Sequence, residues 1–305
     1  MDSSWNNFCT MSIVHFMAFP ATMAGDGPVI ETVKKLAEDP FFGAIEIGWL
    51  KERKVRAEVK AICQASHLKV GFGAQTALLM QKLNINSLDE NERQKAIDQL
   101  KECVDEAEEV GAHRLAFLSG KDPGDADRSK AFDLLVDSVN KVCAYAREKG
   151  IGITLETFDR SIDKKCLLGP SDLAAKFAAV IRESYDDFGL LYDLSHMPLL
   201  SETPENSLKV LKDYLVHIHV GNGVVDPALP GYGDLHPRFG WLGGCNDVPE
   251  LAGFVKMLFE IGYLDKNKAV KPWVGFEVKP QVESETPELI IAGTKRAWQD
   301  AWALV

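Results

Sequence analysis

Four residues in the second half of this sequence sit where chemistry is plausible. Glu156 in ITLETFD, Asp193 in LLYDLSH, His219 in HIHVGN and Glu277 in VGFEVKP each lie in the second half of a short apolar run. Taken singly, a carboxylate so placed reads as a helix cap or a loop-anchoring salt bridge. Brought together, three carboxylates raise one another's pKa and cannot all stay ionised without a cation. A divalent metal resolves that conflict, and oxygen-rich ligation with one histidine favours Mn2+, with Mg2+, Co2+ or Zn2+ as alternatives. Other groups surround the four. His196, three residues after Asp193, suits a substrate or second-metal contact, whereas His217, two residues before His219, reads as a deeper, supporting histidine. Lys279, two residues beyond Glu277, should point the same way as Glu277. His15 in the first run and Glu46 in the second are further inward candidates. Glu46 is flanked by Ile45 and Ile47, so a strand buries it and it needs a partner, either substrate hydroxyls or a neighbouring strand. His236, Arg238 and Lys164, in irregular segments, offer cations to a substrate; Lys165 reads as solvated.

These residues meet only if the ends of several runs converge. The runs cover 11–19, 44–49, 68–75, 113–120, 152–159, 189–196, 215–222 and 273–280, and amphipathic stretches with helical spacing separate them. Strands alternating with helices imply βαβ units and a parallel sheet. Eight repeats predict a (β/α)8 TIM barrel over residues 1–305 as one domain, with an open doubly wound sheet as the alternative. In such a barrel the chemistry lies at the C-terminal strand ends, where all four residues fall. Gly111, Gly150 and Gly262 mark helix ends, and Ser171 reads as a helix N-cap. The Gly- and Pro-rich stretch 221–246 is too long for an idle loop and reads as functional.

Composition narrows the partners. With 34 Lys and Arg against 45 Asp and Glu, the net charge of −11 argues against a nucleic-acid binder. No window reaches the ~20 apolar residues of a membrane span. The apolar stretch 8–24 follows no basic residue and contains His15 and Pro20, so it reads as the first strand rather than a signal peptide. Six cysteines without a CxxC pair suggest a reducing, cytoplasmic setting. No P-loop, GxSxG, HExxH or strand-following GxGxxG occurs. The acidic GKDPGDADR segment reads as a solvated rim or lid. Trp49 and Trp241 are candidates to stack on a sugar, although core roles suit them better. The apolar residues of the C-terminal RAWQDAWALV fit either homo-oligomer formation or packing on the barrel's own first helix.

Eight βα units with Glu, Asp, His and Glu at the ends of strands five to eight, including the Asp-x-x-His of Asp193 to His196, resemble the xylose isomerase-like TIM barrels. That superfamily includes ketose 3-epimerases, sugar and hydroxypyruvate isomerases, inosose dehydratases and endonuclease-IV-type DNA repair enzymes. The resemblance covers nearly the whole chain. It implies that Glu156, Asp193, His219 and Glu277 ligate one divalent metal and that His196 touches the substrate. The chain departs from the ketose 3-epimerases at Val225, where they carry an arginine, and at Ile162, where they carry a second glutamate. The segment GYGDLHPRFGWLGGCND instead resembles a sugar-acid branch that includes 3-oxo-isoapionate decarboxylases, and the catalytic subunits of C-glycoside deglycosidases. Asp234-x-His236 resembles the endonuclease branch, but the histidines that branch needs on strands three and four are replaced here by Gln75 and Ser119.

Such a metal would chelate the carbonyl and adjacent hydroxyl of an open-chain sugar and lower the barrier to an enediolate. Three functions follow as expectations. The first is an isomerase or epimerase of a small carbohydrate or sugar acid, with Glu156 or Glu277 as general base and His196 assisting. The second is a carbon–carbon lyase, a decarboxylase of a 3-oxo sugar acid, in which His236, Arg238, Lys164 or Lys279 positions the leaving carboxylate. The third is a non-catalytic carbohydrate-binding or deglycosidase-type subunit.

Overall fold

The computed structural model describes residues 4–305, and in it eight parallel strands alternate with helices. In chain order the first half comprises β1 (Thr10–Ile13), α1 (His15–Ala18), α2 (Val29–Ala37), β2 (Ala44–Gly48), α3 (Arg53–Ala65), β3 (Lys69–Gly73), α4 (Gln75–Met80), α5 (Glu90–Val110), β4 (Arg114–Leu118) and α6 (Arg128–Glu148). The second half comprises β5 (Gly152–Glu156), α7 (Ser171–Arg182), β6 (Gly189–Asp193), α8 (His196–Leu199), α9 (Pro204–Leu211), β7 (Leu215–Val220), α10 (Val248–Glu260), β8 (Trp273–Phe276) and α11 (Pro287–Ala303). The sheet runs β1-β8-β7-β6-β5-β4-β3-β2, and a parallel bridge between Val14 and Glu46 links β1 to β2. The chain therefore forms the (β/α)8 barrel rather than the open sheet.

Strand composition explains the closure. β2, β5, β6 and β8 are buried along their whole length, as strands must be when helices cover one face and the barrel interior the other. The helices turn an apolar stripe inward: α5 buries Ala96, Ile97, Leu100, Val104, Ala107 and Val110, the three- and four-residue spacing of one helical face. Asp89 caps α5 by accepting from the Glu92 N–H, and Gly111 ends it at φ 80°. Gly150 and Gly262 are likewise left-handed, at 68° and 74°.

Two expectations need correction. The run 11–19 is not one strand, because the chain leaves the sheet at Val14 and residues 15–18 form α1. A short apolar run fits a buried helical turn as well as a strand, and here the turn lies across the barrel mouth. Ser171 is the first residue of α7 rather than its cap; its N–H and hydroxyl both donate to Glu202, at 2.8 and 2.6 Å. The GKDPGDADR segment is solvent-facing as expected, with five of its nine residues exposed and none buried, and a few contacts anchor it. Asp122 pairs with Arg128 and Arg160, and the Asp122 N–H donates to the Lys165 carbonyl.

Trp298 and Trp302 of α11 pack inside the protein, Trp298 against Phe276 and Trp302 against Phe8 and Phe259. Packing within the chain thus accounts for the two tryptophans, while Leu304 stays exposed. The six cysteines are free, and five are buried. Among the described residues no helix is long and apolar enough to cross a membrane.

Candidate metal centre and substrate cavity

Glu156 and Asp193 are the last residues of β5 and β6, His219 is the fifth residue of β7, and Glu277 follows β8 directly. Adjacent strands in register deliver them together: Asp193 pairs with His219, and His219 with Gly275. All four are at least nine-tenths buried. One donor atom from each lies within 4.8 Å of those of the other three. Four atoms, Glu156 Oε1, Asp193 Oδ2, His219 Nδ1 and Glu277 Oε2, are buried without a hydrogen-bond partner. Unpaired buried polar atoms are costly, and four of them converging form a cluster that could hold a metal ion. His219 Nδ1 lies 2.6 Å from Glu277 Oε2 and 3.7 Å from Glu156 Oε1.

The protein engages the opposite atom of three of these groups, which turns the free atom inward. Gln75 Nε2 donates to Glu156 Oε2 at 2.6 Å, and the Ser195 N–H donates to Asp193 Oδ1 at 2.6 Å. His219 Nε2 lies 2.8 Å from Glu46 Oε2, an arrangement that assigns the proton to Nε2 and leaves the Nδ1 lone pair free. Glu46 also accepts from Ser12 Oγ at 2.7 Å and stands 3.2 Å from His217 Nε2. Gly275 makes room for this cluster. A Cβ there would meet Glu46 Oε1 at 2.5 Å and both His219 Cδ2 and Ser12 Oγ at 2.8 Å.

Charge follows the same geometry. Burial, with Glu277 nearby, raises the Asp193 pKa. Burial also works against a charged His219, but Glu46 and Glu277 outweigh it and hold the imidazole well above its ordinary range. In Glu46 burial is opposed by His217 and His219, which keep its carboxyl well below the usual carboxylate range. Without a cation the site thus draws protons to balance its carboxylates, and a divalent ion would displace them.

A second network adjoins the first. Asp234 Oδ1 accepts from His196 Nε2 at 2.9 Å and lies 2.7 Å from His236 Nε2, while Asp234 Oδ2 pairs with Lys164 at 3.0 Å. Burial opposes a charged His236, yet Glu277 and Asp234 lift its pKa to about 9. The His236 backbone is left-handed at φ 51°, a strained setting that recurs at functional positions. The long 221–246 segment delivers Asp234 and His236. Asn246 Nδ2 fastens it by donating to the Leu194 and Gly221 carbonyls, and Asn222 Nδ2 by donating to the Arg238 carbonyl.

Above the four donors lies a cavity of about 190 Å3. Glu156, His219 and Glu277 form its floor, with Phe16, Met17, Phe158 and Leu235 as apolar walls and Lys164, Lys279 and His236 as its cations. Several residues singled out by sequence lie elsewhere. Arg238 is turned away, with Nε on Glu285 at 3.1 Å and Nη1 on the Phe239 and Gly240 carbonyls. His196 lies behind the wall, because Thr157 O engages Nδ1 at 2.8 Å and Asp234 engages Nε2. Burial lowers the His15 pKa to about 3, and its Nε2 bonds Thr32 Oγ1 outside the cavity. Trp49 and Trp241 bond the Met23 and Pro230 carbonyls and do not line the cavity. Gln75, Phe16 and Phe158 were not expected there. Gln75 appeared in the sequence only as the residue standing where a histidine was missing.

A family model described as a xylose isomerase-like TIM barrel matches residues 34–290. No curated protein sequence matches the chain. Among solved structures it is similar to D-psicose 3-epimerase from Clostridium cellulolyticum H10 with D-tagatose, with 17% identity, a TM-score of 0.65, and 97% of this chain and 96% of that one covered. An L-ribulose 3-epimerase gives 14% identity and a TM-score of 0.73, covering 97% and 96%. An IOLI protein with a bound zinc atom gives 18% identity and a TM-score of 0.72, covering 96% and 97%. At these identities the likeness shows a shared fold.

Proposed function

The chain belongs to the xylose isomerase-like TIM-barrel family, and on that premise we propose that it is a divalent-metal-dependent isomerase or epimerase of a small carbohydrate or sugar acid, working through an enediolate. The observation that carries this reading is the convergence of four buried, unpartnered donor atoms beneath a small cavity. Glu156, Asp193, His219 and Glu277 would hold the ion; three carboxylates and one imidazole suit Mn2+ first, and the zinc atom of the IOLI structure makes Zn2+ the main alternative. When bound, the metal supplies Lewis acidity at a substrate carbonyl and hydroxyl.

The chain's own residues do the rest. Glu156 and Glu277 stand on different strands beside the same small volume, so one can take a proton from the carbon next to the carbonyl and the other can return one. Gln75 holds Glu156 in place from its far oxygen. His236, 3.7 Å from Glu277 Oε1, stands beside that carboxylate and helps to position it. Phe16, Met17 and Leu235 keep water from the reacting carbons.

One observation favours a decarboxylase of a 3-oxo sugar acid as a second reading. Lys279 lines the cavity without an ion-pair partner among the described residues, which suits a substrate that brings its own carboxylate. Elemental analysis of wild type beside Glu156→Gln and His219→Ala tests the common premise. About one equivalent of metal in wild type, lost in both variants, supports an enzyme and leads to screens of ketoses and 3-oxo sugar acids, in which CO2 release separates the two readings. Metal-free wild type that takes up no Mn2+ on titration refutes both and leaves a carbohydrate-binding barrel.

A further inference from the structure

The interior of a (β/α)8 barrel is ordinarily filled by layers of side chains, and its N-terminal end is a packed floor. Here that end is open. A cavity of about 310 Å3 enters between the first residues of β4, β7 and β8 and reaches Glu46, the one residue that also lines the cavity above the four donors. Gly71 of β3 keeps it clear, because a Cβ there would stand 3.2 Å from the Trp273 ring and 3.4 Å from Glu46 Cγ. A single carboxyl layer therefore separates two cavities at opposite ends of the barrel.

The lining chemistry is one-sided. Arg114, Lys268 and Lys271 bring three positive charges, and Glu46 brings the sole negative one. Glu46 is already committed to Ser12, His217 and His219. None of the three cations makes an ion pair with a described carboxylate. Arg114 Nη1 donates to the Ile153 and Asp187 carbonyls and to Thr154 Oγ1, Lys271 donates to the Asn6 carbonyl, and Lys268 stands over the Tyr263 ring. In a chain with a net charge of −11, three cations at one concave site, with Asp187 and Asp265 acting on Arg114 and Lys268 only from beyond ion-pair distance, focus a positive potential there. At its inner end lies His217, nine-tenths buried, with Nε2 3.2 Å from Glu46 Oε1 and the ring edge-on to Trp273.

We propose that this N-terminal cavity is a second ligand site, one for a small oxyanion or carboxylate, and that its occupant promotes metal binding at the other end of the barrel. The sign follows from Coulomb's law, since an anion on one side of the Glu46 layer attracts a divalent cation on the other. Reciprocity requires the metal to tighten the anion by the same factor. The coupling rests on the metal reading given above; the anion site does not.

The test uses sulfate and succinate, both weak metal ligands, titrated by calorimetry into metal-free full-length protein. Saturable binding of either probe is expected, sulfate alone indicating a phosphate-like ligand and succinate alone a carboxylate. It should weaken at least about tenfold in the Lys268→Glu/Lys271→Glu double variant and persist in Lys279→Ala, whose side chain faces the other cavity. Binding that survives the double substitution, disappears in Lys279→Ala, or is absent from wild type overturns the site. Saturating probe should then tighten Mn2+ binding about twofold or more in wild type but not in the double variant. Mn2+ affinity indifferent to a bound probe overturns the coupling, while failure to bind Mn2+ at all refutes the metal reading and leaves the anion result standing.

Discussion

Replacing Glu46 with alanine removes the acceptor that fixes the ring of His219. In the intact protein the two Glu46 oxygens serve Ser12 Oγ at 2.7 Å, His219 Nε2 at 2.8 Å and His217 Nε2 at 3.2 Å, all out of solvent. The first consequence is a loss of tautomer control, because nothing then obliges the proton to stay on Nε2 and keep Nδ1 available. Removing a carboxylate that holds a metal-binding histidine typically costs ~10- to 100-fold in metal affinity. At about 1.4 kcal/mol per tenfold, that is about 1.4 to 2.8 kcal/mol. Glu46→Gln separates orientation from bulk. Its amide oxygen can still accept from Nε2 and its NH2 can face Ser12, so the expected loss is smaller, about threefold to tenfold. Competition against a metal-binding dye gives both numbers, with thermal melts to show that each variant is folded. A folded Glu46→Ala protein that binds Mn2+ within threefold of wild type would refute the assignment. So would equal losses in the two variants, which would mean that the site needs the charge of Glu46 and not its hydrogen bond.

Other consequences follow from the same contacts. Gln75→Ala frees Glu156 Oε2 and should lower kcat about tenfold with a smaller change in metal affinity, as read from steady-state kinetics beside metal titration. His236 has its folded pKa raised to about 9, above the ordinary 6.5, so its pairing stabilises the metal-free protein fully below pH 6.5, and that stability is lost as pH climbs through about 9. Melting temperatures across that window should therefore fall more steeply in wild type than in His236→Asn. Lys279→Ala should raise KM about tenfold or more for a carboxylate-bearing substrate and leave a neutral ketose unaffected, and equal effects on both would remove the argument for a sugar acid.

The barrel was legible because its determinants are repetitive. Eight apolar runs separated by amphipathic stretches leave few topologies open, and Gly111, Gly150 and Gly262 end helices for a reason local to each residue. What failed lay at one short apolar run that bends out of the sheet and at one helix start. His15 and Phe16 continue an apolar pattern that a strand and a buried helical turn satisfy equally well, and only the lid-like position of α1 over the mouth decides between them. Ser171 looked like a cap because sequence cannot reveal that Glu202, 31 residues away, reaches the first turn of α7.

The candidate site divides along the same line. Glu156, Asp193, His219 and Glu277 were readable because each repeats one signal, a chemical group at the end of a buried strand, and barrel closure converts that signal into proximity. The residues that orient them carry no such signal. Glu46 read either as a group for substrate hydroxyls or as the partner of a neighbouring strand, and its register against β1 and the approach of β7 decide for the second by placing Ser12 and His219 on its oxygens. His196 lies three residues from Asp193, yet those residues turn the chain into α8 and aim its ring at Thr157 and Asp234 instead of the cavity. Arg238 shows why a cation two residues from His236 need not share its direction, since Glu285 and two backbone carbonyls draw it outward. Identity at strand ends is thus set by sequence period, whereas orientation is set by partners drawn from other strands and loops, and it is orientation that decides which nitrogen or oxygen is left free to do chemistry.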